Sequence, residues 1–185
     1  MSTDCPEIAA ISESLGASVP VLRPKHLAQD HSTTLDAVDH MVTYLLKTGK
    51  KYKNLIILQP TSPLRNSHDI DEALQYFHER KLFALTSICE VEHPMQWMNQ
   101  LPSSKSMKNF LKPELISKRS QEFEKLYRLN GAIKILDWGF FIKEKTLFPN
   151  KRHEGFEMPL ERSVDIDNEY GAAFAEFLLQ KNLVK

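Results

Sequence analysis

The sequence predicts an α/β protein built on a parallel β-sheet with helices on both faces. Two observations predict it. Short apolar runs of strand length alternate with amphipathic helical stretches through the first half of the chain. The run at 55–58 is aliphatic throughout, as in a strand buried on both faces. With 185 residues, the chain is long enough for one domain with a sizeable core and a small appended lobe.

Residues 4–16 predict the first helix. Asp4 and Glu7 have capping-box spacing, Ile8, Ile11 and Leu15 share a face, and Gly16 is the stop. A short strand is expected at 18–22, ending at Arg23-Pro24. The next helix starts near Ser32 or Thr33, buries Leu35, Val38, Val42 and Leu45, and ends at Gly49. The strand 55–58 follows, then a helix around 69–80 with Ile70, Ala73, Leu74 and Phe77 inward, then a strand at 83–88. Residues 92–118 break the rhythm: they are polar, rich in Met, Pro, Ser and Lys, and without a clean period. Regularity returns with a strand at 132–136 and a short helix at 138–145. A brief strand at 164–167 runs into a helix at 168–180, with Asp167 as N-cap and Ala173, Phe174, Phe177 and Leu178 inward.

Composition excludes several classes. Lysine plus arginine and aspartate plus glutamate each number 24, so no global field points to nucleic acid or an anionic membrane. Two cysteines, Cys5 and Cys89, read as reduced thiols rather than a disulfide framework. The start MSTDCPEIAA has no basic and apolar leader pattern, and no run is long enough to span a bilayer. A cytoplasmic protein is expected. Neither GxGxxG nor GxxxxGK[ST] occurs, and the histidines show no HxH or HExxH spacing.

Three short constellations carry the chemistry. The first is LQPTSPLR, 58–65, at the carboxyl end of a strand, where open α/β sheets bind ligands. Gln59 can donate and accept at once, Pro60 and Pro63 stiffen the turn, Thr61 and Ser62 present hydroxyls, and Arg65 reaches an anion or braces the loop. An ordinary βα turn is the competing reading. The second is RSVDIDNEY, 162–170. On a strand Asp165 and Asp167 project together, and paired carboxylates call for a cation; Mg²⁺ is the natural one, taking one or two carboxylates plus substrate phosphates. A solvated Asp165 beside an N-capping Asp167 is the alternative. The third is YRLNGAIKI, 127–135. Asn130-Gly131 predicts a tight turn into a strand, and Arg128 either pairs with a carboxylate or phosphate or lies free on the surface.

In this order, the N-terminal MSTDCPEIAAISESLGASVPVLRPKHLAQDHSTT, LQPTSPLR, RLNGAIKI and ERSVDIDNE resemble the acylneuraminate cytidylyltransferases, also called CMP-sialic acid synthetases. The resemblance covers nearly the whole chain. It implies a three-layer nucleotidyltransferase (Rossmann-like) fold, with a small dimerisation lobe from about 92–118 and 138–157, and hence a homodimer. It implies transfer of CMP from CTP to an acidic nine-carbon sugar with release of diphosphate. By motif, Asp165 and Asp167 are the implied Mg²⁺ ligands and catalytic pair, and Gln59 the sugar-contacting glutamine, with Thr61, Ser62 and Arg65 beside it. Arg23 and the Ser32–Thr34 stretch match the region reading cytosine and ribose. Arg128 matches an arginine near the sugar carboxylate or phosphates, with Asn130 shaping its turn.

There are departures from the pattern. The family starts with a strand and a basic glycine loop that cradles the triphosphate, whereas this sequence starts at the STD that follows the second strand. The resemblance therefore implies an N-terminal truncation on the order of 30 residues, one strand–helix unit. It leaves the strand 55–58 without its central neighbour. Lys134 replaces the tyrosine common in NGAIYI, and Arg119-Ser120 stands where a paired arginine is common. Two alternatives to an N-acylneuraminate enzyme follow: a non-catalytic dimeric nucleotide-binding remnant, or a cytidylyltransferase for 3-deoxyoctulosonate, legionaminate or pseudaminate.

Overall fold

The computed structural model describes residues 1–184. Four strands form one sheet in the order β1 (Asn54–Ile57), β3 (Tyr127–Asp137), β2 (Ala84–Glu90), β4 (His153–Glu157). Strands β2 and β4 are parallel, with Ala84 opposite His153 and Ile88 opposite Glu157. The expected all-parallel sheet is corrected at β3. The Val91 N–H donates to Leu126 O at 2.9 Å, joining the end of β2 to the start of β3. Likewise Trp138 N–H donates to Lys53 O at 3.1 Å, joining the end of β3 to the start of β1. Strand β3 therefore runs against both neighbours. The physical reason lies in the connection: a parallel crossover needs a covering helix, and 91–126 carries only isolated 3₁₀ turns. Strand β1 lies at the sheet edge and is half-buried, not central and enclosed as 55–58 suggests, because β3 is its one partner.

By contacts the chain divides into two units, residues 1–55 with 136–152 and residues 56–135 with 153 onward. In the first, α1 (Pro6–Ser14) starts behind an extended Cys5, with Pro6 at its first position. Asp4 makes no cap. Only Ala9 is buried on this helix, whereas Ile8, Ile11 and Leu15 are exposed, against expectation. Residues 18–22 form no strand. Single bonds tether that stretch instead: the Met1 amine to Ser18 O at 2.7 Å and Arg23 N–H to Thr3 O at 2.8 Å. Helix α2 (Thr34–Lys47) has a full capping box between Thr33 and Asp36 and buries Val42. Helix α4 (Trp138–Glu144) is capped by Asp137, buries Phe141, and sets Trp138 edge-on to Tyr52 at 5.3 Å. Lys145, just past its end, pairs with Asp39 of α2.

In the second unit, α3 (Ser67–Glu79) lays Ala73 and Phe77 on a core of Leu85 from β2 with Ile133 and Ile135 from β3. A second, smaller core joins Leu64, Val164, Ala175 and Leu178, with Ile166 packed against it. Helix α5 (Glu169–Gln180) supplies Ala175 and Leu178; Ala173, Phe174 and Phe177 point outward, one helical step from the expected face. Strand β4 belongs to the sheet, beside β2. No helix among the described residues is long and apolar enough to cross a membrane.

Between Ile133 and Ile135, Lys134 takes the opposite face of β3. Its Nζ donates to Thr86 Oγ1 at 2.9 Å, and Thr86 Oγ1 lies 2.8 Å from His153 Nε2. Burial pushes the Lys134 ammonium down to about 8 from its ordinary 10.5. Between those values the unfolded chain holds the proton and the folded chain has lost it, so stability rises with pH across that window. Urea melts should show this rise between about pH 8 and 10.5, and Lys134→Met should flatten it; an unchanged pH profile would place Lys134 in solvent.

Candidate functional site

The turn after β1 is held from within. Arg65 Nη1 donates to Gln59 O at 2.7 Å and also to Ser62 O, so of its two expected roles the arginine braces the loop. Ser62 N–H closes the turn on Gln59 O at 3.3 Å. The Ser62 side chain is fully buried, its hydroxyl donating to Asn130 O at 3.0 Å. Gln59 lies over Gly131, where an added Cβ would sit 2.3 Å from Gln59 Oε1. Gly131 also holds φ at +70°, a conformation that side chains disfavour. Asn130-Gly131 is thus a kink inside β3 rather than a turn leading into it, a correction forced by the close approach of Gln59.

Asn130 is the centre of a buried polar network. Its Nδ2 donates to Ser163 Oγ at 2.9 Å, and its Oδ1 accepts from Ser87 Oγ at 2.5 Å and from the Ala132 N–H at 3.2 Å. Ser87 Oγ accepts the Ile133 N–H at 2.8 Å, and Ser163 Oγ donates to Pro159 O at 2.7 Å. Every hydroxyl has a donor and an acceptor role, as burial requires. Asn130 and Ser62 are fully enclosed, so neither can touch a substrate. Both residues, expected at the ligand, instead position the segments around them.

The segment 162–168 is fastened at three points. Arg162 Nε lies 3.0 Å from both carboxylate oxygens of Asp69, which is nearly inaccessible. Asp69 also closes a capping box with Asn66 at the start of α3. The Ile166 N–H donates to Thr61 O at 2.8 Å, joining this segment to the LQPTSPLR turn. Helix α5 follows, its first turn pressed on the segment: a Cβ on Gly171 would come 2.8 Å from Asp165 O. The segment is not a strand, and the N-cap of α5 is Asn168, which accepts the Gly171 N–H at 3.0 Å, rather than Asp167. Val164 is buried in the small core with Ile166 packed against it, whereas Asp165 is half-buried and Asp167 exposed.

Beside Asp165 opens a cleft of about 680 Å³, lined by Glu92, Arg128 and Glu161 and by an apolar wall that includes Leu160 and Phe174. Arg128 Nη2 donates to Glu92 Oε1 at 2.9 Å and reaches Ser163 O at 3.4 Å. The arginine holds the Glu92 carboxyl below the usual carboxylate range. Asp165 Oδ1 is buried and has no hydrogen-bond partner. A desolvated carboxylate oxygen is costly unless a cation or donor meets it. Asp167, exposed two residues on, adds a second hard oxygen group. Asp165 and Asp167 are the two carboxylates here that could hold a Mg²⁺ shared with ligand phosphates. Among the described residues no three His, Cys, Asp or Glu side chains form a ready cage.

Arg23, Ser32 and Thr34 belong to the first unit. Arg23 Nη2 is 3.9 Å from Asp4 Oδ1, and its Nε is buried without a partner. Ser32 Oγ accepts the Gln29 N–H at 3.0 Å, and Thr34 is the exposed first residue of α2. Sequence reasoning passed over Arg162, Ser163, Gly171 and Glu92. The Asn66–Asp69 spacing signals a capping box, but nothing local marks Arg162 as the partner of Asp69, or Glu92 as that of Arg128.

No protein-family model matches the chain. Curated relatives do. The CMP-N,N'-diacetyllegionaminic acid synthase of Legionella pneumophila is 28% identical over 188 residues, 98% of this chain and 78% of the relative. Post-translational flagellin modification protein B of Campylobacter coli is 30% identical over 99% of this chain and 77% of its own length. The N-acylneuraminate cytidylyltransferase of Streptococcus agalactiae is 31% identical over 90% of this chain but 39% of its own length. Among solved structures, CMP:2-keto-3-deoxy-manno-octonic acid synthetase complexed with CTP superposes with a TM-score of 0.63 at 14% identity, over 98% of this chain and 80% of that one, and so shares its fold.

Asn130→Ala removes the amide that serves Ser87, Ser163 and the Ala132 N–H at once. Urea unfolding should show a loss of about 3 kcal/mol or more, and a loss under 1 kcal/mol would mean that water replaces the amide.

Proposed function

Because the chain belongs to the acylneuraminate cytidylyltransferase family, we propose that it transfers CMP from CTP to the anomeric hydroxyl of an acidic nine-carbon sugar. The sugar oxygen bonds to the α-phosphorus, the bond to the β-phosphate oxygen breaks, and diphosphate leaves. The observation that carries this reading is the partnerless buried Oδ1 of Asp165, in a cleft that also holds Arg128.

Asp165 and Asp167 hold Mg²⁺, which supplies charge neutralisation for the triphosphate. Arg128 meets the sugar carboxylate with its planar fork of donors. Gln59, set over the Gly131 kink, offers both a donor and an acceptor to sugar hydroxyls. Thr61 fixes the distance between that turn and the aspartates through its carbonyl. Leu160 and Phe174 give the cleft an apolar side that fits an acyl group and excludes water. That wall, together with the relative named for diacetyllegionaminic acid, favours a doubly N-acylated sugar as the second reading. Diphosphate release from CTP and Mg²⁺ with N-acetylneuraminate or with N,N'-diacetyllegionaminic acid tests the reading. No release with either sugar overturns it. CTP binding without turnover favours the non-catalytic alternative.

Asp167→Asn should lower turnover by roughly a hundredfold or more. Its melting temperature should stay within about 2 °C of the parent, because the side chain is exposed and caps nothing. Full turnover in that variant would remove Asp167 from the metal site.

We also propose a homodimer. Residues 92–118 display Met95, Met98, Leu101, Met107 and Ile116, each more than half exposed. Trp97 is served locally, edge-on to Phe123 at 5.5 Å, and is not part of that unmet surface. Methionine and aliphatic surface of this extent fits a copy of itself better than water. Light scattering at micromolar concentration should give twice the chain mass, and Met98→Lys with Leu101→Lys should return it to the single-chain value.

A further inference from the structure

We propose that Glu92 is an internal competitor in the cleft, standing on Arg128 in the place of a ligand carboxylate until an acidic sugar displaces it. The inference rests on the proposed sugar site. Arg128 is the one basic residue lining the cleft, against Glu92, Glu161 and Asp165. A ligand that brings its own carboxylate therefore has a single basic side chain to meet, and Glu92 already engages it at 2.9 Å.

The two partners are not held alike. Arg128 sits in β3 and also touches Ser163 O, a group fixed by the buried network, so its guanidinium stays in position if Glu92 leaves. Glu92 lies two residues beyond the end of β2, and 53% of its side chain is exposed, against 34% for Arg128. Its carboxylate can swing into water at little cost, because a half-solvated ion pair is weak.

The exchange replaces one carboxylate on Arg128 with another, so an acidic sugar recovers what it breaks. A neutral sugar must either leave the pair intact, losing its own contact with Arg128, or strip the arginine of its counter-charge. Glu92 thus tempers the affinity for an acidic ligand by competition and leaves that for a neutral one unchanged.

Calorimetry of the whole chain with N-acetylneuraminate and with its methyl ester, for the parent and for Glu92→Gln, tests this. Gln keeps the shape and removes the charge. The acid should bind about three- to fivefold more tightly to Glu92→Gln, and the ester should bind both proteins alike. KM for the acid should fall in step. Equal affinity of the acid for both proteins overturns the inference, as does an ester affinity that moves with that of the acid. Turnover with an unchanged KM in Glu92→Gln overturns the inference and leaves the cytidylyltransferase reading standing. Absence of acid binding in both proteins removes the two together.

Discussion

A single buried amide organises the second unit. The Asn130 amide binds strand β2 and the segment before Asp165 to one point of β3, and the main-chain carbonyl of the same residue holds the loop after β1. An apolar residue of similar volume could fill the space but could not specify it, since Ser87 and Ser163 would lose the amide that orients each of them. In a low-dielectric interior such a network is rigid when fully satisfied and costly when broken. Two sequence-distant loops are thereby held together, each also contributing to the smaller core through Leu64 and Val164.

The second fastening is electrostatic. Asp69 is at once the third residue of a capped helix and the partner of Arg162. With the aspartate almost wholly enclosed, removing the arginine takes away its counter-charge, a larger penalty than the pair itself contributes. The start of α3 and the segment bearing the aspartate pair are therefore stable or unstable as one. Arg65 does similar work within its own turn, donating to the carbonyls of Gln59 and Ser62.

Much of this was legible in the sequence where a short-range period or cap carries the signal. Helices α2, α3 and α4 lie where their apolar spacing puts them, and the three motif segments meet as their order implies. The failures have physical causes. For α1 and α5, periodicity gives a face but not which face finds a partner, and both helices leave apolar side chains outside. Strand β4, HEGFE, has no alternation of apolar and polar residues to announce it. The direction of β3 depends on a connection without a helix, and Asn130 reads as a turn residue because Asn-Gly pairs usually are. Only a tertiary contact, Gln59 over Gly131, makes that pair a kink within a strand.

The side-chain ladder Lys134–Thr86–His153 crosses three adjacent strands. Strand β4 is short, lies at the sheet edge, and is half-buried or exposed along its length, so burial alone barely distinguishes one alignment from the next. Sliding it by one residue turns every side chain to the opposite face and takes the imidazole away from the Thr86 hydroxyl. A hydroxyl that is also receiving a lysine donor would then have nowhere to direct its own proton. The ladder acts as an alignment key: it discriminates among pairings that the hydrophobic effect treats as nearly equal, and it does so at the strand most exposed to mispairing with another chain.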